Sequence, residues 1–100
     1  MAKTPECKVK DEIKKLLKQY GVYYTMPIGG AFSTIGVPDF LCCYKGRFIG
    51  IEAKAGSNKP TALQEKNLED IRKAGGVGLV INEKNLIELI NTLKEQDDER

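Results

Sequence analysis

The stretch GVPDFLCCYKGRFIGIEAK, residues 36–54, contains the pattern that decides the fold. It holds two β-prone runs, 39–44 and 47–54, and only Lys45-Gly46 separates them. Two such runs joined by two residues that include a glycine are typical of a β-hairpin with a tight turn. We therefore predict a hairpin across this stretch.

The hairpin decides which polar side chains meet at its open end. With a two-residue turn, Tyr44 pairs with Arg47, and the same register places Asp39 opposite Glu52. Cross-strand partners have Cβ atoms about 4.5–5.5 Å apart. Side chains two residues apart on a strand point to the same face, so Lys54 emerges beside Glu52. The register predicts a cluster of two carboxylates and one ammonium, which a one-residue bulge would shift.

The flanking segments alternate between helical and extended patterns. The predicted elements are a helix at 5–20 with Thr4 as its cap and Gly21 at its end, a β-prone segment at 22–26, a loop at 27–38, the hairpin, a helix from Thr61 to about Ala74, an apolar strand at 77–81 and a helix from about Lys84 to Glu95. The order α-β-β-β-α-β-α predicts an α/β fold whose last strand runs parallel to the strand before the crossover helix. Residues 94–100 are predicted to form a frayed acidic tail.

Composition predicts one domain, residues 1–100, of ordinary globular character, with 41% hydrophobic and 30% charged residues. The net charge is +2, but residues 1–94 carry 15 basic and 10 acidic side chains, a surplus of five. This surplus is compatible with nucleic acid as a partner. The chain shows no long apolar run and no signal-peptide pattern, so we predict an intracellular protein with no membrane contact.

The absence of histidine restricts the chemistry that the chain can perform. It excludes histidine bases, histidine metal ligands and Ser-His or Cys-His triads. The three cysteines lack a CxxC spacing, and the adjacent Cys42 and Cys43 point to opposite faces of a strand. We therefore predict free, packed thiols, and any catalysis must come from carboxylates, lysines, hydroxyls or an oxygen-ligated metal.

The pairing of Asp39 with Glu52 has two interpretations. Directly opposed like charges destabilise a hairpin. A divalent cation between the carboxylates would offset this repulsion, because Mg²⁺ and Mn²⁺ favour oxygen ligands and are often held by one or two carboxylates. Lys54 would then act on water or on a phosphate oxygen. The plain alternative is that Asp39 is a turn residue and that Glu52 and Lys54 form a solvated strand end.

Two further polar residues fall on apolar helix faces. On a helical wheel Glu6 lies within the apolar arc of the first helix, whereas Glu12 lies at its edge. Gln64 falls between apolar residues of the second helix. A first-turn acid that complements the helix dipole also accounts for Glu6, and a capping box with Thr61 also accounts for Gln64.

These residues together resemble the PD-(D/E)XK nuclease superfamily, and more closely its small viral and bacterial VRR-NUC domains. The resemblance rests on Gly36-Val37-Pro38-Asp39, on Ile51-Glu52-Ala53-Lys54 after an apolar hairpin, on Lys59-Pro60-Thr61 with Gln64 at a helix start, and on Gly75-Gly76 before an apolar strand. It covers roughly residues 4–90. The chain departs from relatives at Ser33-Thr34-Ile35, where it has no basic residue.

The resemblance implies a restriction-endonuclease-like core, a mixed β-sheet flanked by helices. It implies that Asp39, Glu52 and the backbone carbonyl of Ala53 bind Mg²⁺ or Mn²⁺, and that Lys54 is the catalytic lysine. Glu6 matches the acid of the first helix, with Glu12 as the alternative, and Gln64 matches the motif glutamine. The predicted DNA contacts are the loop residues Gly29, Gly30, Ser33 and Thr34, together with Lys59.

The leading hypothesis is a metal-dependent DNA endonuclease that acts on branched or four-way (Holliday) junction DNA, as arises in DNA repair. Cutting two strands requires two active sites, so we predict a homodimer. The final helix has five aliphatic residues between 86 and 93, a wide apolar face that a partner would cover. The alternative hypotheses are a non-catalytic nucleic-acid-binding module that retains the fold and a plain interaction scaffold.

Overall fold

The computed structural model describes residues 3–28 and 35–98. Within them the elements follow the predicted order: α1 (Pro5–Tyr20), β1 (Tyr23–Thr25), β2 (Phe40–Tyr44), β3 (Arg47–Ala53), α2 (Ala62–Lys73), β4 (Val77–Ile81) and α3 (Leu86–Asp98). The predicted α/β class is thereby confirmed. None of the described helices combines the length and the apolar character that crossing a bilayer requires.

The β2–β3 hairpin has the predicted register. Tyr44 pairs with Arg47, and the antiparallel ladder continues without a bulge to the pair of Phe40 and Ile51. Both turn residues, Lys45 and Gly46, have positive φ angles of 51° and 84°. This is the left-handed conformation that a two-residue hairpin turn of type I′ needs, and it suits the twist of the strands.

The sheet has the strand order β1-β2-β3-β4, and it is mixed because β3 and β4 are parallel. The crossover between these two strands contains α2, as predicted for parallel neighbours. The helix begins with a capping box: the hydroxyl of Thr61 accepts the backbone N–H of Gln64, and the Gln64 side chain accepts the backbone N–H of Thr61.

The two faces of the sheet are covered by different helices. Phe40, Ile49 and Ile51 point to one face and share a core with the buried side chains of α1 and α3. On the other face lie Gly50 and Gly78, which allow α2 to approach closely. A Cβ atom at Gly78 would lie 2.9 Å from the carbonyl oxygen of Leu68. Glu52, two residues after Gly50, points to this second face.

The outward-facing carbonyl groups of Gly78 and Val80 in the edge strand β4 accept hydrogen bonds from side chains. The guanidinium of Arg72 donates to the Gly78 carbonyl at 2.9 Å, and the amide of Asn85 donates to the Val80 carbonyl at 2.9 Å. An edge whose acceptors are already bonded is a poor template for pairing with another strand. β4 is therefore protected against edge-to-edge association.

Helix α3 corrects the prediction of a frayed tail from residue 94. The helix continues to Asp98, and residues 99 and 100 lie outside the described residues. The hydroxyl of Tyr44 donates to Asp97, and the amide of Gln96 donates to the Lys45 carbonyl at 3.0 Å. These contacts with the hairpin hold the end of the helix, which the acidic composition alone does not reveal.

The apolar face of α3 is mostly used within this chain. Leu89 and Leu93 are fully buried, and Leu86 packs against the core. Ile87 is the large aliphatic side chain of α3 that is exposed, at 57%. The surplus apolar face predicted for this helix is therefore much smaller than its sequence indicates.

The three cysteines are free thiols, as predicted, but only Cys42 is packed. Burial raises its pKa to about 12, so it is an unreactive core residue. Cys7 and Cys43 are exposed, so the prediction of packing was wrong for both. Cys43 alternates with Cys42 along β2 and points to the opposite face, whereas Cys7 lies on the exposed side of α1.

Candidate metal centre

The predicted acidic cluster lies where β2 begins and β3 ends. Asp39 directly precedes β2, Glu52 is the penultimate residue of β3, and Lys54 follows that strand. The β2–β3 ladder ends at the pair of Phe40 and Ile51, and Asp39, one residue before Phe40, lies close enough to Glu52 to raise the pKa of its carboxyl group. The first turns of α1 approach the same end of the hairpin, since Lys10 contacts Asp39.

The two carboxylate oxygens of Asp39 differ: one accepts a backbone hydrogen bond, and the other can bind a cation. Its Oδ2 accepts the backbone N–H of Ala53 at 2.9 Å, a bond that fixes the side chain across the strand end. Its Oδ1 lies 3.7 Å from Nζ of Lys10, beyond hydrogen-bonding distance. Oδ1 is therefore the oxygen that can bind a further cation.

Glu52 is the one buried charged side chain among residues 3–28 and 35–98, with 2% of its surface exposed. Its Oε2 lies 3.8 Å from Nζ of Lys54, whose side chain is also largely covered. Its Oε1 is buried and has no hydrogen-bond partner among the described residues. A buried oxygen without a partner is costly, and it indicates a position where a proton or a ligand belongs.

The surroundings of Glu52 strongly disfavour its ionised form. The pKa of Glu52 is raised to about 8. The causes, from largest to smallest, are burial, the negative charge of Asp39 and a hydrogen bond between the two carboxyl groups through a shared proton. Lys54 opposes this rise, and the more distant charge of Glu6 adds to it. Two carboxylates that compete for one proton are a site into which a divalent cation fits electrostatically.

The backbone adds a third oxygen to this site. The N–H of Ala53 points to Asp39, whereas the next N–H, that of Lys54, points to the other side and donates to Ile81 at 3.0 Å. Because the N–H and C=O of one strand residue point the same way, the Ala53 carbonyl also faces Asp39. The β2–β3 ladder ends at the pair of Phe40 and Ile51, and the Pro38 ring lies over Gly50, where a Cβ atom would be 3.3 Å from Pro38 Cγ. The partner strand therefore ends before it reaches this carbonyl.

These three oxygens suit Mg²⁺ or Mn²⁺. Among the residues that the structure describes, no three His, Cys, Asp or Glu side chains are close enough to bind a metal by themselves. The protein share would thus be two carboxylates, Asp39 and Glu52, and the Ala53 carbonyl. Mg²⁺ commonly retains several waters and takes one or two carboxylates, whereas structural zinc sites use four nitrogen or sulfur ligands.

The first-helix acid that faces this site is Glu6. Its charge contributes to the raised pKa of Glu52, and its Oε2 lies 3.6 Å from Nζ of Lys10. Lys10 thereby bridges Glu6 and Asp39. Glu12 is exposed and forms an ion pair with Lys15 at 3.2 Å instead. This placement agrees with the preference of the helical wheel for Glu6.

Lys10 is the site residue that sequence reasoning missed. Its spacing from Glu6 is i to i+4, which places the two side chains next to each other on a helix. That spacing was the available signal. The contact with Asp39 depends on how α1 packs against the hairpin.

The remaining predicted residues have mixed outcomes. Gln64 forms the capping box with Thr61 through its side-chain oxygen, so its role at the site stays a prediction. Lys59 is exposed in the connection between β3 and α2. The predicted DNA contacts Gly29, Gly30, Ser33 and Thr34 lie outside the described residues.

The fold is similar to that of a solved structure described as a VRR_NUC domain protein. The TM-score is 0.66, the sequence identity is 20%, and the match covers 96% of this chain and 93% of the other. No protein-family model matches the chain. No curated protein is significantly similar to it in sequence. The structural likeness confirms the fold that the resemblance implied.

The raised pKa of Glu52 predicts that the metal-free protein loses stability as pH rises. Between the ordinary pKa of 4.5 and about 8, the folded protein holds one proton more than the unfolded chain, so the free energy of unfolding falls across this interval. The fall should be on the order of a few kcal/mol. Thermal melts in EDTA at several pH values measure it.

Glu52→Gln should remove most of this pH dependence, because the amide does not ionise. The exposed Glu95→Gln serves as a control and should follow the wild-type curve. A wild-type stability that stays constant over this interval would contradict the proton assigned to Glu52.

Proposed function

We propose that this chain is a VRR-NUC-type, metal-dependent endonuclease that hydrolyses phosphodiester bonds in DNA. The observation that carries the proposal is the buried Oε1 of Glu52, which has no partner among the described residues and lies beside Asp39 and Lys54. The fold shared with a VRR_NUC domain protein supports it. Mg²⁺ or Mn²⁺ at this site would supply charge neutralisation at the phosphate and a more acidic water.

Asp39 and Glu52 bring negative charge to the end of the sheet and keep it in place. The Ala53 N–H holds Asp39 with its Oδ1 directed away from the backbone ladder. Only 2% of Glu52 is exposed, so its carboxylate is held within the fold. The site is therefore preorganised before a substrate arrives.

Lys54 supplies the positive charge nearest to the reacting phosphate in this proposal. Only 14% of its side chain is exposed, and Nζ lies 3.8 Å from Glu52, too far for a hydrogen bond. Among residues 3–28 and 35–98 no hydrogen bond occupies its N–H donors, which are available to a ligand. The ammonium group donates to a phosphate oxygen or orients the attacking water.

The substrate proposed is branched DNA, and the proposed assembly is a dimer with two active sites. The final helix is mostly covered by its own core, and the outer edge of β4 is protected. The opposite edge strand β1 carries Tyr23 with 80% exposure, so we place the dimer contact on that side. An intracellular location is part of the same proposal.

The central experiment compares cleavage of labelled linear, flapped and four-way DNA in Mg²⁺, Mn²⁺ or EDTA. Wild-type protein should cut only with a metal. Glu52→Gln should reduce cleavage to background, because one ligand oxygen is lost with little change in volume, while Glu95→Gln retains activity. Lys54→Ala should still bind Mn²⁺ in calorimetry but lose about 10²–10³-fold in turnover.

Metal-independent DNA binding without any cleavage would favour the non-catalytic module instead. Full activity of Glu52→Gln in Mg²⁺ would show that the site is misplaced.

A second prediction separates the two acids of the first helix. Glu6→Gln should lower turnover by about tenfold or more, because the charge that holds Lys10 beside Asp39 is lost. Glu12→Gln removes an exposed ion pair with Lys15 and should change turnover little. Steady-state rates at saturating Mg²⁺ compare them, and the reverse order would assign the role to Glu12.

A third prediction concerns assembly. Light scattering at micromolar concentration should give twice the mass of the chain, and a four-way junction should be cut on two opposing strands. Tyr23→Lys should dissociate the dimer because it places a charge in the contact, whereas Ile87→Lys on α3 should not. A monomer that cuts a single strand of a symmetric junction rules out the dimer and leaves the metal site unaffected.

A further inference from the structure

The segment from Lys3 to Lys18, which contains most of α1, is strongly basic. It carries six lysines against three acids. Three of these lysines, Lys10, Lys14 and Lys18, follow one another at a spacing of four residues and form a row that we name the lysine ridge. Side chains at this spacing are neighbours on a helix surface and form a continuous ridge along it.

The lysine ridge starts at the candidate metal centre and leads away from it. Nζ of Lys10 lies 3.7 Å from Oδ1 of Asp39. The exposed side-chain fraction rises from 27% at Lys10 to 39% at Lys14, and Lys18 is fully on the surface. Each step of four residues advances about 6 Å along the helix axis. This spacing is comparable to the separation of successive phosphates in one strand of DNA.

The two outer lysines of the ridge are only weakly neutralised by neighbouring acids, whereas Lys10 lies between Glu6 and Asp39. Asp11 is the acid closest to Lys14, at 4.0 Å, but it also accepts a short hydrogen bond from Lys3. That bond is the main cause of the lowered pKa of Asp11, and the charges of Lys14 and Lys15 also lower it. Lys18 forms no ion pair within residues 3–28 and 35–98.

Two lysines elsewhere on the helices form closer ion pairs than the ridge lysines do. Lys15, on another side of α1, bonds Glu12 at 3.2 Å, and Lys66 of α2 bonds Asp70 at 2.9 Å. A lysine in the last turn of a helix is favoured by the helix dipole, which accounts for Lys18 taken alone. It does not account for a row that reaches Asp39.

We propose that the lysine ridge is a binding surface for the phosphate backbone of DNA and directs one strand to the candidate metal centre. The inference rests on the proposed function. It adds a binding surface to that function, because the predicted DNA contacts lay in the loop before Gly36 and at Lys59. Ammonium groups at this spacing recognise the charge of successive phosphates and not the base sequence.

The experiment measures DNA binding separately from cleavage. Fluorescence anisotropy of a labelled duplex and of a labelled four-way junction is recorded in EDTA over a range of salt concentrations. The test variant is Lys14→Gln/Lys18→Gln, and the matched control is Lys15→Gln/Lys66→Gln, which lowers the net charge by the same amount. Lys14→Arg/Lys18→Arg retains the charge of the ridge, and thermal melts check that each variant is folded.

The slope of log K against log salt should become shallower by about one for each ridge lysine removed. The control and the arginine variant should keep the wild-type slope. An equal loss in the control, or an unchanged slope in the test variant, would overturn the ridge and leave the nuclease proposal intact. A wild-type protein that binds neither DNA would overturn the proposed function itself, and the ridge with it.

Discussion

The burial of the Glu52 carboxylate is the constraint to which the surrounding structure responds. An ionised carboxylate that leaves water without adequate partners is strongly disfavoured. Lys54 is near but not bonded, and Asp39 opposes a second negative charge. The metal-free protein resolves this conflict with a proton, which explains the raised pKa. A divalent cation would allow both carboxylates to be ionised. The metal would then take the place of the proton, which suits a site that acts only with its metal bound.

The geometry around Glu52 follows from the place where the β2–β3 ladder stops. The ladder ends at the pair of Phe40 and Ile51, and beyond it the Asp39 side chain accepts the Ala53 N–H. The strand end thus presents a carbonyl and two carboxylates where a longer hairpin would have closed with ordinary backbone bonds. Asp39 thus both caps the strand end and supplies a carboxylate to the site.

Helices cover both faces of the sheet that ends at this site. Helix α2 lies against Gly50 and Gly78 on the face of Glu52, while α1 and α3 cover the opposite face. The first turns of α1 extend beside the site, where Lys10 bridges Glu6 and Asp39. A DNA strand that follows the lysine ridge would reach the carboxylates from this side.

Local sequence was enough for the hairpin, its register and the meeting of Asp39 with Glu52, because a two-residue turn and the alternation of strand side chains leave few choices. It also placed Glu6 rather than Glu12 on the inner side of α1, and it gave the capping box of α2. Tertiary packing decided the contacts between distant elements. Lys10 reaches Asp39 only because α1 crosses the hairpin end, and α3 continues to Asp98 because Tyr44, 53 residues away from Asp97, bonds it. Tertiary packing also decided how deeply Glu52 is buried, since a strand pattern predicts the face of the sheet to which a side chain points but not what covers that face.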